Sequence, residues 1–184
     1  MRGKETVRDM VLSLAAIGVV AAGIYVFGIP HDEGGRGAGV KTVDYRVELD
    51  TARRAAPYPV AAPQPGALPK GWRATSVTYR PTAPGSGAGE GGAVWHLGFL
   101  DPGQQYVAIE QSDGRAVPFI DDVTQQARET KEKRRIDGKE WIRYEGDKYD
   151  ALVHREPGVT TVVTGTASYG QLTKMAAALT SEKG

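Results

Sequence analysis

The chain has 184 residues, and its 23 basic and 22 acidic side chains leave a net charge of +1. This balance gives no general attraction to nucleic acid, so we expect no nucleic-acid partner. The absence of cysteine excludes disulfides, thiolate metal sites and cysteine nucleophiles.

An uncharged run of 20 residues, from Met10 to Ile29, lies near the N-terminus. As a helix it would be about 30 Å long, which matches the hydrocarbon core of a bilayer. Basic residues precede the run, and this bias predicts an N-terminus in the cytoplasm. A cleaved signal peptide is the alternative, but its apolar stretch is usually only about 7 to 15 residues long. We therefore predict a retained anchor that has the lipid bilayer as its partner.

The predicted anchor divides the chain into four segments. Residues 1–9 form a cytoplasmic tail, residues 10–29 the transmembrane helix, and residues 30–42 a flexible, Gly-rich tether. Residues 43–184 form one extracytoplasmic domain, which is long enough to bury a single core. The expected location is the cell membrane, crossed in a single pass, with the C-terminal domain extracellular.

The first part of this domain mixes short periodic runs with a proline-rich segment. Alternation predicts a strand over Val43–Leu49, and Thr51–Ala56 is a candidate short helix that ends before a proline. The proline-rich segment Pro57–Gly71 is expected to be extended and to lie on the surface. A second strand is predicted over Trp72–Tyr79.

A hairpin is predicted next, followed by a helix. Its strands are Ala93–Phe99 and Tyr106–Glu110, and Asp101-Pro-Gly suits a type II turn between them. Apolar residues at helical spacing predict a helix over Pro118–Ala127. The charged run Ala127–Arg135 is interpreted as a solvated helix face, with contact to an anionic wall polymer as the alternative.

The C-terminal part is predicted to contain three strands and a final helix. The strands are Glu140–Tyr144, Tyr149–Val153 and Thr160–Thr164. Ser168 followed by Gln171 has the pattern of a capping box, which predicts the start of the helix.

A weak internal repeat links the two hairpins. Val107 lies six residues after Asp101, and Val162 lies six residues after Glu156, each time following a Pro-Gly turn. The spacing suggests two halves, each a β-hairpin followed by a helix. We predict an α+β fold after the N-terminal transmembrane helix. It has a mainly antiparallel sheet of six or seven strands, with two or three helices packed on it.

Two histidines are the strongest candidates for chemistry. His96 and His154 lie in predicted strands of the two hairpins and are expected either to approach each other across the sheet or to be ordinary polar strand residues. With an acid they would provide a hydrolase or transferase site. The sequence assigns no catalytic, cofactor-binding or metal-binding residue, and no cofactor is expected.

Three motifs give the chain a recognisable pattern. LPKGW at Leu68–Trp72, GKEW at Gly138–Trp141 and VTGTAS at Val163–Ser168 resemble the DUF4245 family. That family consists of actinobacterial single-pass membrane proteins of unknown function. The resemblance covers the anchor and nearly the whole outer domain, and it implies an extracytoplasmic location. It brings no functional residues with it.

Three functions follow from these observations. The main expectation is a non-enzymatic binding or accessory module of the cell envelope, with an envelope protein or polymer as partner. The alternative is an envelope hydrolase or transferase that uses His96 and His154. A membrane-anchored sensor is the weakest, since the predicted cytoplasmic tail has only nine residues.

Overall fold

The structure is a computed structural model that describes residues 40–83 and 91–184. The predicted cytoplasmic tail, the predicted transmembrane helix and most of the predicted tether lie outside these residues. Within the described ranges, no helix is both long enough and apolar enough to span a bilayer.

Nine strands and three helices make up the described part of the chain. The strands are β1 (Val60–Pro63), β2 (Arg73–Arg80), β3 (Val94–Leu100), β4 (Tyr106–Ser112), β5 (Arg128–Ile136), β6 (Lys139–Glu145), β7 (Asp150–Glu156), β8 (Val159–Gly165) and β9 (Leu179–Glu182). The helices are α1 (Arg46–Ala55), α2 (Ala116–Val123) and α3 (Tyr169–Ala178).

The strands form two antiparallel sheets. Seven of them pair in the order β2-β3-β4-β8-β7-β6-β5, and β1 pairs with β9 in a separate two-stranded sheet. The predicted α+β class and the antiparallel sheet of seven strands with three helices are therefore confirmed.

The internal repeat is visible in the sheet order. Strands β3-β4 and β7-β8 are hairpins, and β4 and β8 meet antiparallel at the centre. Val107 pairs with Gly165, which lies three residues after Val162. Val162 pairs with Glu110, which lies three residues after Val107. Val107 and Val162 nevertheless belong to cores on opposite faces of the sheet, so no two-fold axis relates the repeat, and the two hairpins are neighbours through β4 and β8. The two predicted halves therefore pack side by side.

Side chains alternate between the two faces of the seven-stranded sheet. The front face, which carries Trp95, Leu97 and Ile109, packs against α1, α3 and the β1-β9 sheet to form the main core. The back face, which carries Val153 and Val162, packs against α2 in a smaller core. Since α2 has only eight residues, some back-face side chains of β2 and β3 stay partly exposed.

The predicted strand at Val43–Leu49 is wrong, because most of it belongs to α1. Leu49, Ala52 and Ala56 are buried, which is helical spacing, while Val47 is 77% exposed. The Asp44 carboxylate accepts a hydrogen bond from the Arg46 N–H and satisfies one of the free donors at the helix start. The expected helix over Thr51–Ala56 is the second half of α1.

The proline-rich segment is not confined to the surface. Val60–Pro63 forms β1, whose four residues are all buried. Its pairing partner is β9, at the other end of the domain, and Trp95 Nε1 donates a hydrogen bond to the Ala61 carbonyl oxygen at 2.9 Å. This strand depends on partners that are distant in the sequence.

The helix predicted over Pro118–Ala127 is shorter and begins earlier, at Ala116. It ends at Val123, and two consecutive glutamines, Gln125 and Gln126, then have φ values of 55° and 68°. The predicted helix face over Ala127–Arg135 is also wrong, since Arg128–Ile136 is the edge strand β5. Charged side chains suit an edge strand because they oppose pairing with another chain.

Two local details also differ from prediction. Gly103, the third residue of the Asp101-Pro-Gly turn, lacks the positive φ that a type II turn requires, and Gln104 has a φ of 61° instead, so the predicted type II turn is wrong. Ser168 does occupy the N-cap of α3, but its side chain makes no capping hydrogen bond. The Gln171 Oε1 atom is buried without a partner in the described chain, and the capping box is therefore not formed.

Candidate functional site

The two candidate histidines lie on opposite faces of the sheet. His96 pairs with Glu110, which pairs with Val162 on the back face. His154 pairs with Thr161, on the front face. Directly paired residues of an antiparallel sheet share a face, so the sheet itself separates the two imidazoles. The expected approach of His96 and His154 does not occur.

His154 is held inside the front face. Its side chain is 11% exposed, its Nδ1 lies 2.7 Å from the Glu140 carbonyl oxygen, and its ring centroid lies 5.3 Å from that of Trp141. A carbonyl oxygen only accepts, so Nδ1 is the donor in this bond. These contacts give His154 a structural role.

His96 joins a hydrogen-bonded chain across three neighbouring strands on the back face. The Ser76 Oγ of β2 lies 2.8 Å from His96 Nε2, and His96 Nδ1 lies 2.6 Å from the Glu110 Oε1 of β4. The side chains of His96 and Glu110 are 24% and 11% exposed. The sequence did not single out Ser76 or Glu110.

The order of donors in this chain follows from the chemistry of its members. A carboxylate only accepts, so Glu110 fixes the proton of neutral His96 on Nδ1. His96 Nε2 then carries the lone pair and accepts the hydrogen bond from the Ser76 hydroxyl. This tautomer and orientation are those of a histidine that removes a proton from a serine.

Tyr106 places a second hydroxyl beside Ser76. A methyl group built on Gly98 would overlap Ser76 Oγ and would lie 3.0 Å from the Tyr106 hydroxyl oxygen, so the missing side chain of Gly98 makes room for both groups. Burial raises the pKa of Tyr106 to about 12, and the Glu110 charge adds to the rise, against a smaller lowering by the neighbouring Ser76 hydroxyl. Tyr106 is therefore a neutral donor at physiological pH.

A cleft opens directly beside His96 and Glu110. Its volume is ≈ 360 Å³, and α2 contributes Phe119, Val123 and Asp122 to its lining. Val94 and Arg80 line the strand side. The cleft is thus apolar against α2 except at Asp122, and its lining holds two carboxylates, Glu110 and Asp122, and one cation, Arg80.

A second candidate is an aromatic pocket at the start of the domain. It has a volume of ≈ 500 Å³, and Tyr45, Leu68, Trp72 and Phe99 are among its lining residues. The rings of Tyr45 and Trp72 both meet Phe99 edge to face, with centroid distances of 5.9 and 6.5 Å. Asp44, Arg46 and Arg73 add polar groups to the lining.

The LPKGW motif builds one wall of the aromatic pocket. Gly71 has a φ of 99°, a left-handed conformation that favours glycine, and a Cβ there would come within 3.2 Å of the Pro102 side chain. Val43 and Ala74 also line the pocket, and the Val43 N–H donates to the Ala74 carbonyl oxygen at 2.9 Å. Arg73 donates to Gln104 Oε1 at 2.6 Å and so ties the pocket to the β3-β4 turn.

Other charged groups are less suited to a site. On β5, Lys133 pairs with Glu140 at 2.9 Å, Glu132 with Arg143 at 2.9 Å, and Glu129 with Arg155 at 3.7 Å. Over residues 40–83 and 91–184, no three His, Asp or Glu side chains are grouped to hold a metal ion.

Comparisons with known proteins bear on the family. A comparison with curated proteins finds no match. The solution structure of cyanobacterial PsbP (CyanoP) from Synechocystis sp. PCC 6803 is similar at 14% sequence identity and a TM-score of 0.33, over 83% of this chain and 99% of that chain. The family model "Protein of unknown function (DUF4245)" matches residues 2–179. This chain therefore belongs to the DUF4245 family, as its LPKGW, GKEW and VTGTAS motifs predict.

Proposed function

We propose that this protein is a binding module of the cell envelope that recognises a saccharide unit of an envelope polymer in the aromatic pocket. The observation that carries the proposal is the pocket itself, in which Trp72 and Tyr45 lie beside the polar side chains of Asp44 and Arg46. Ligand sites commonly combine an apolar, aromatic lining with a few polar groups that fix orientation.

The ligand class follows from the chemistry of the lining. The apolar face of a sugar ring packs well against aromatic side chains, and its hydroxyl groups both donate and accept. Asp44 accepts hydrogen bonds, and Arg46 donates them. Trp72 also lines the pocket, and its indole N–H is a donor.

The proposed location rests on the sequence. The run at residues 10–29 is long enough to span a bilayer, and the basic residues before it favour an N-terminus in the cytoplasm. The domain at residues 43–184 would then face the outside, within reach of envelope polymers.

The location is tested with an alkaline phosphatase fused after Gly184 of the full chain. We expect an active phosphatase and a protein that stays in the membrane pellet after an alkaline wash. An inactive fusion, or release by the wash, would contradict the predicted anchor.

Binding is tested with the full-length protein in detergent, incubated with purified, insoluble cell-wall polymer and sedimented. We expect wild-type protein to sediment with the polymer and the Trp72→Ala variant to lose at least about 10-fold in affinity, because it loses the main stacking surface. Tyr149→Ala is the matched control, since Tyr149 is a partly exposed aromatic outside the pocket.

Two results would overturn the binding proposal. One is a wild-type protein that does not sediment with the polymer. The other is a Trp72→Ala variant that binds as well as the wild type. Circular dichroism of each variant ensures that a loss of binding is not a loss of fold.

A further inference from the structure

The geometry points to Ser76 as the nucleophile of an acyl-ester hydrolase site on the back face of the sheet. This inference does not depend on the aromatic pocket, which is lined by other residues. Its parts are Ser76, His96, Glu110 and Tyr106, together with the cleft that His96 and Glu110 line.

The first step is the activation of Ser76. A serine hydroxyl is a weak nucleophile until a neighbouring base removes its proton. His96 Nε2, at 2.8 Å, is within hydrogen-bonding reach of Ser76 Oγ. Glu110, at 2.6 Å from Nδ1, positions the imidazole and stabilises the imidazolium that forms when His96 takes the proton. Glu110 acts through His96 and is a positioning residue.

The second step is the stabilisation of the oxyanion. Ser76 lies on β2, the edge strand of the sheet, and a side-chain donor lies beside it. The Tyr106 hydroxyl lies beside Ser76 in the space that Gly98 leaves open. Tyrosine hydroxyls are among the groups that stabilise a developing oxyanion, and a raised pKa keeps this one protonated.

The third step is the seating of the acyl group. Phe119, Val123 and Val94 form the apolar part of the ≈ 360 Å³ cleft that also contacts His96. A short aliphatic or aromatic acyl chain fits a cleft of this size and polarity. The carboxylates of Glu110 and Asp122 outnumber Arg80 in the lining, which disfavours an ester that carries a negative charge.

The reaction is balanced without a cofactor. Ser76 Oγ attacks the ester carbonyl carbon as its proton moves to His96 Nε2, and the bond from that carbon to the alcohol oxygen breaks as His96 protonates the leaving alcohol. Water then attacks the acyl-Ser76 ester and gives a proton to His96. The bond between the acyl carbon and Ser76 Oγ breaks, Ser76 recovers its proton, and a carboxylic acid leaves.

The alternative is a ladder of hydrogen bonds whose only role is to pair the polar groups of half-buried side chains. Such a ladder would keep Ser76 no more reactive than any other serine. The experiment therefore measures the reactivity of Ser76 and not the stability of the fold.

The test uses the full-length protein in detergent, with a fluorophosphonate probe and with p-nitrophenyl butyrate as substrate. We expect mass spectrometry to place the probe on Ser76, and the Ser76→Ala variant to lose both labelling and hydrolysis. His96→Gln and Tyr106→Phe should each lower kcat by about 10²-fold. Ser181→Ala, at an exposed serine on β9, should behave as the wild type.

Glu110 is tested through the pH dependence of the rate. Glu110→Gln should lower kcat with little change in KM and should move the acidic limb of the pH–rate profile, and Glu110→Asp should recover part of the rate. A purely structural Glu110 would leave that limb in place.

Three results would overturn the inference. The first is a wild-type protein that is not labelled, and the second is labelling that persists in Ser76→Ala. The third is hydrolysis that is unchanged in His96→Gln while the far-ultraviolet circular dichroism remains that of the wild type.

Discussion

Gly98→Ala is the substitution that tests the packing around Ser76 most sharply. A methyl group at this position would overlap Ser76 Oγ and lie 3.0 Å from both Cε2 and the hydroxyl oxygen of Tyr106. Ser76 would have to rotate and give up its 2.8 Å hydrogen bond to His96. Overpacking costs about 1–3 kcal/mol, and the lost hydrogen bond is worth about 0.5–1.5 kcal/mol within that total.

A double-mutant cycle isolates the contribution of Ser76. In the Ser76→Ala background the overlapping oxygen and its hydrogen bond are already absent, so only the Tyr106 contacts resist the new methyl group. We expect Gly98→Ala to cost about 1 kcal/mol less in that background than in the wild type.

The assay is urea unfolding of the full-length chain in detergent, followed by tryptophan fluorescence. Gly170→Ala is the control, because its new methyl group would meet Ser168 Oγ at an ordinary 3.8 Å. Equal costs of Gly98→Ala in the two backgrounds, or a neutral Gly98→Ala, would refute the packing described around Ser76.

Two further predictions concern the stability of the fold. Gln111 is 1% exposed, and its Oε1 accepts a hydrogen bond from the Ala61 N–H at 2.7 Å. Gln111→Leu should therefore lower the free energy of unfolding by about 2–4 kcal/mol in urea titrations. A loss below about 0.5 kcal/mol would contradict this. Burial raises the pKa of Tyr106, Tyr144 and Tyr169 to about 12. Tyrosines of the unfolded chain ionise near pH 10, before those of the folded protein, so the unfolded state is favoured as the pH rises. The urea midpoint should therefore stay constant below about pH 10 and fall as the pH rises through about 12. A midpoint that is constant over this range would contradict the raised pKa values.

Local features of the sequence predict the hairpins well. The Glu156-Pro-Gly turn and the β-branched run Thr160–Thr164 specify β7-β8 with little help from the rest of the chain, and Gly158 has the φ of 82° that the turn requires. The same holds for Asp137-Gly138, where both residues have positive φ values. The alternation of apolar and polar residues and the residue preferences of turns act over a few residues, so the sequence predicts these hairpins directly.

Elements that depend on distant partners could not be predicted in this way. Pairing of β1 with β9 joins Val60 to Glu182 and has no local signature. In α1 the spacing of apolar residues fits both a strand and a helix, and only the burial of Leu49 and Ala52 by the rest of the domain decides between them.

The Ser76–His96–Glu110 chain was missed for a similar reason. The Asp101-Pro-Gly turn suggests that His96 and Glu110 lie on neighbouring strands, but Ser76 reaches them through a register shift in β2 between Ala74 and Ser76. A bulge of this kind depends on the partner strand and changes which side chains share a face. The aromatic pocket also joins residues that are far apart in the sequence, Tyr45, Trp72 and Phe99.

The central claim, that Trp72 contacts an envelope saccharide, is tested most directly by the indole N–H signals of the three tryptophans. The full-length protein is labelled with nitrogen-15 and titrated with soluble fragments of cell-wall polymer. We expect the Trp72 signal to shift in a saturable manner. The Trp95 signal should stay in place, because its N–H is buried and bonded to the Ala61 carbonyl oxygen, and so should that of Trp141, which is 2% exposed. An unchanged Trp72 signal at saturating fragment concentration, or equal shifts at all three tryptophans, would contradict the proposal.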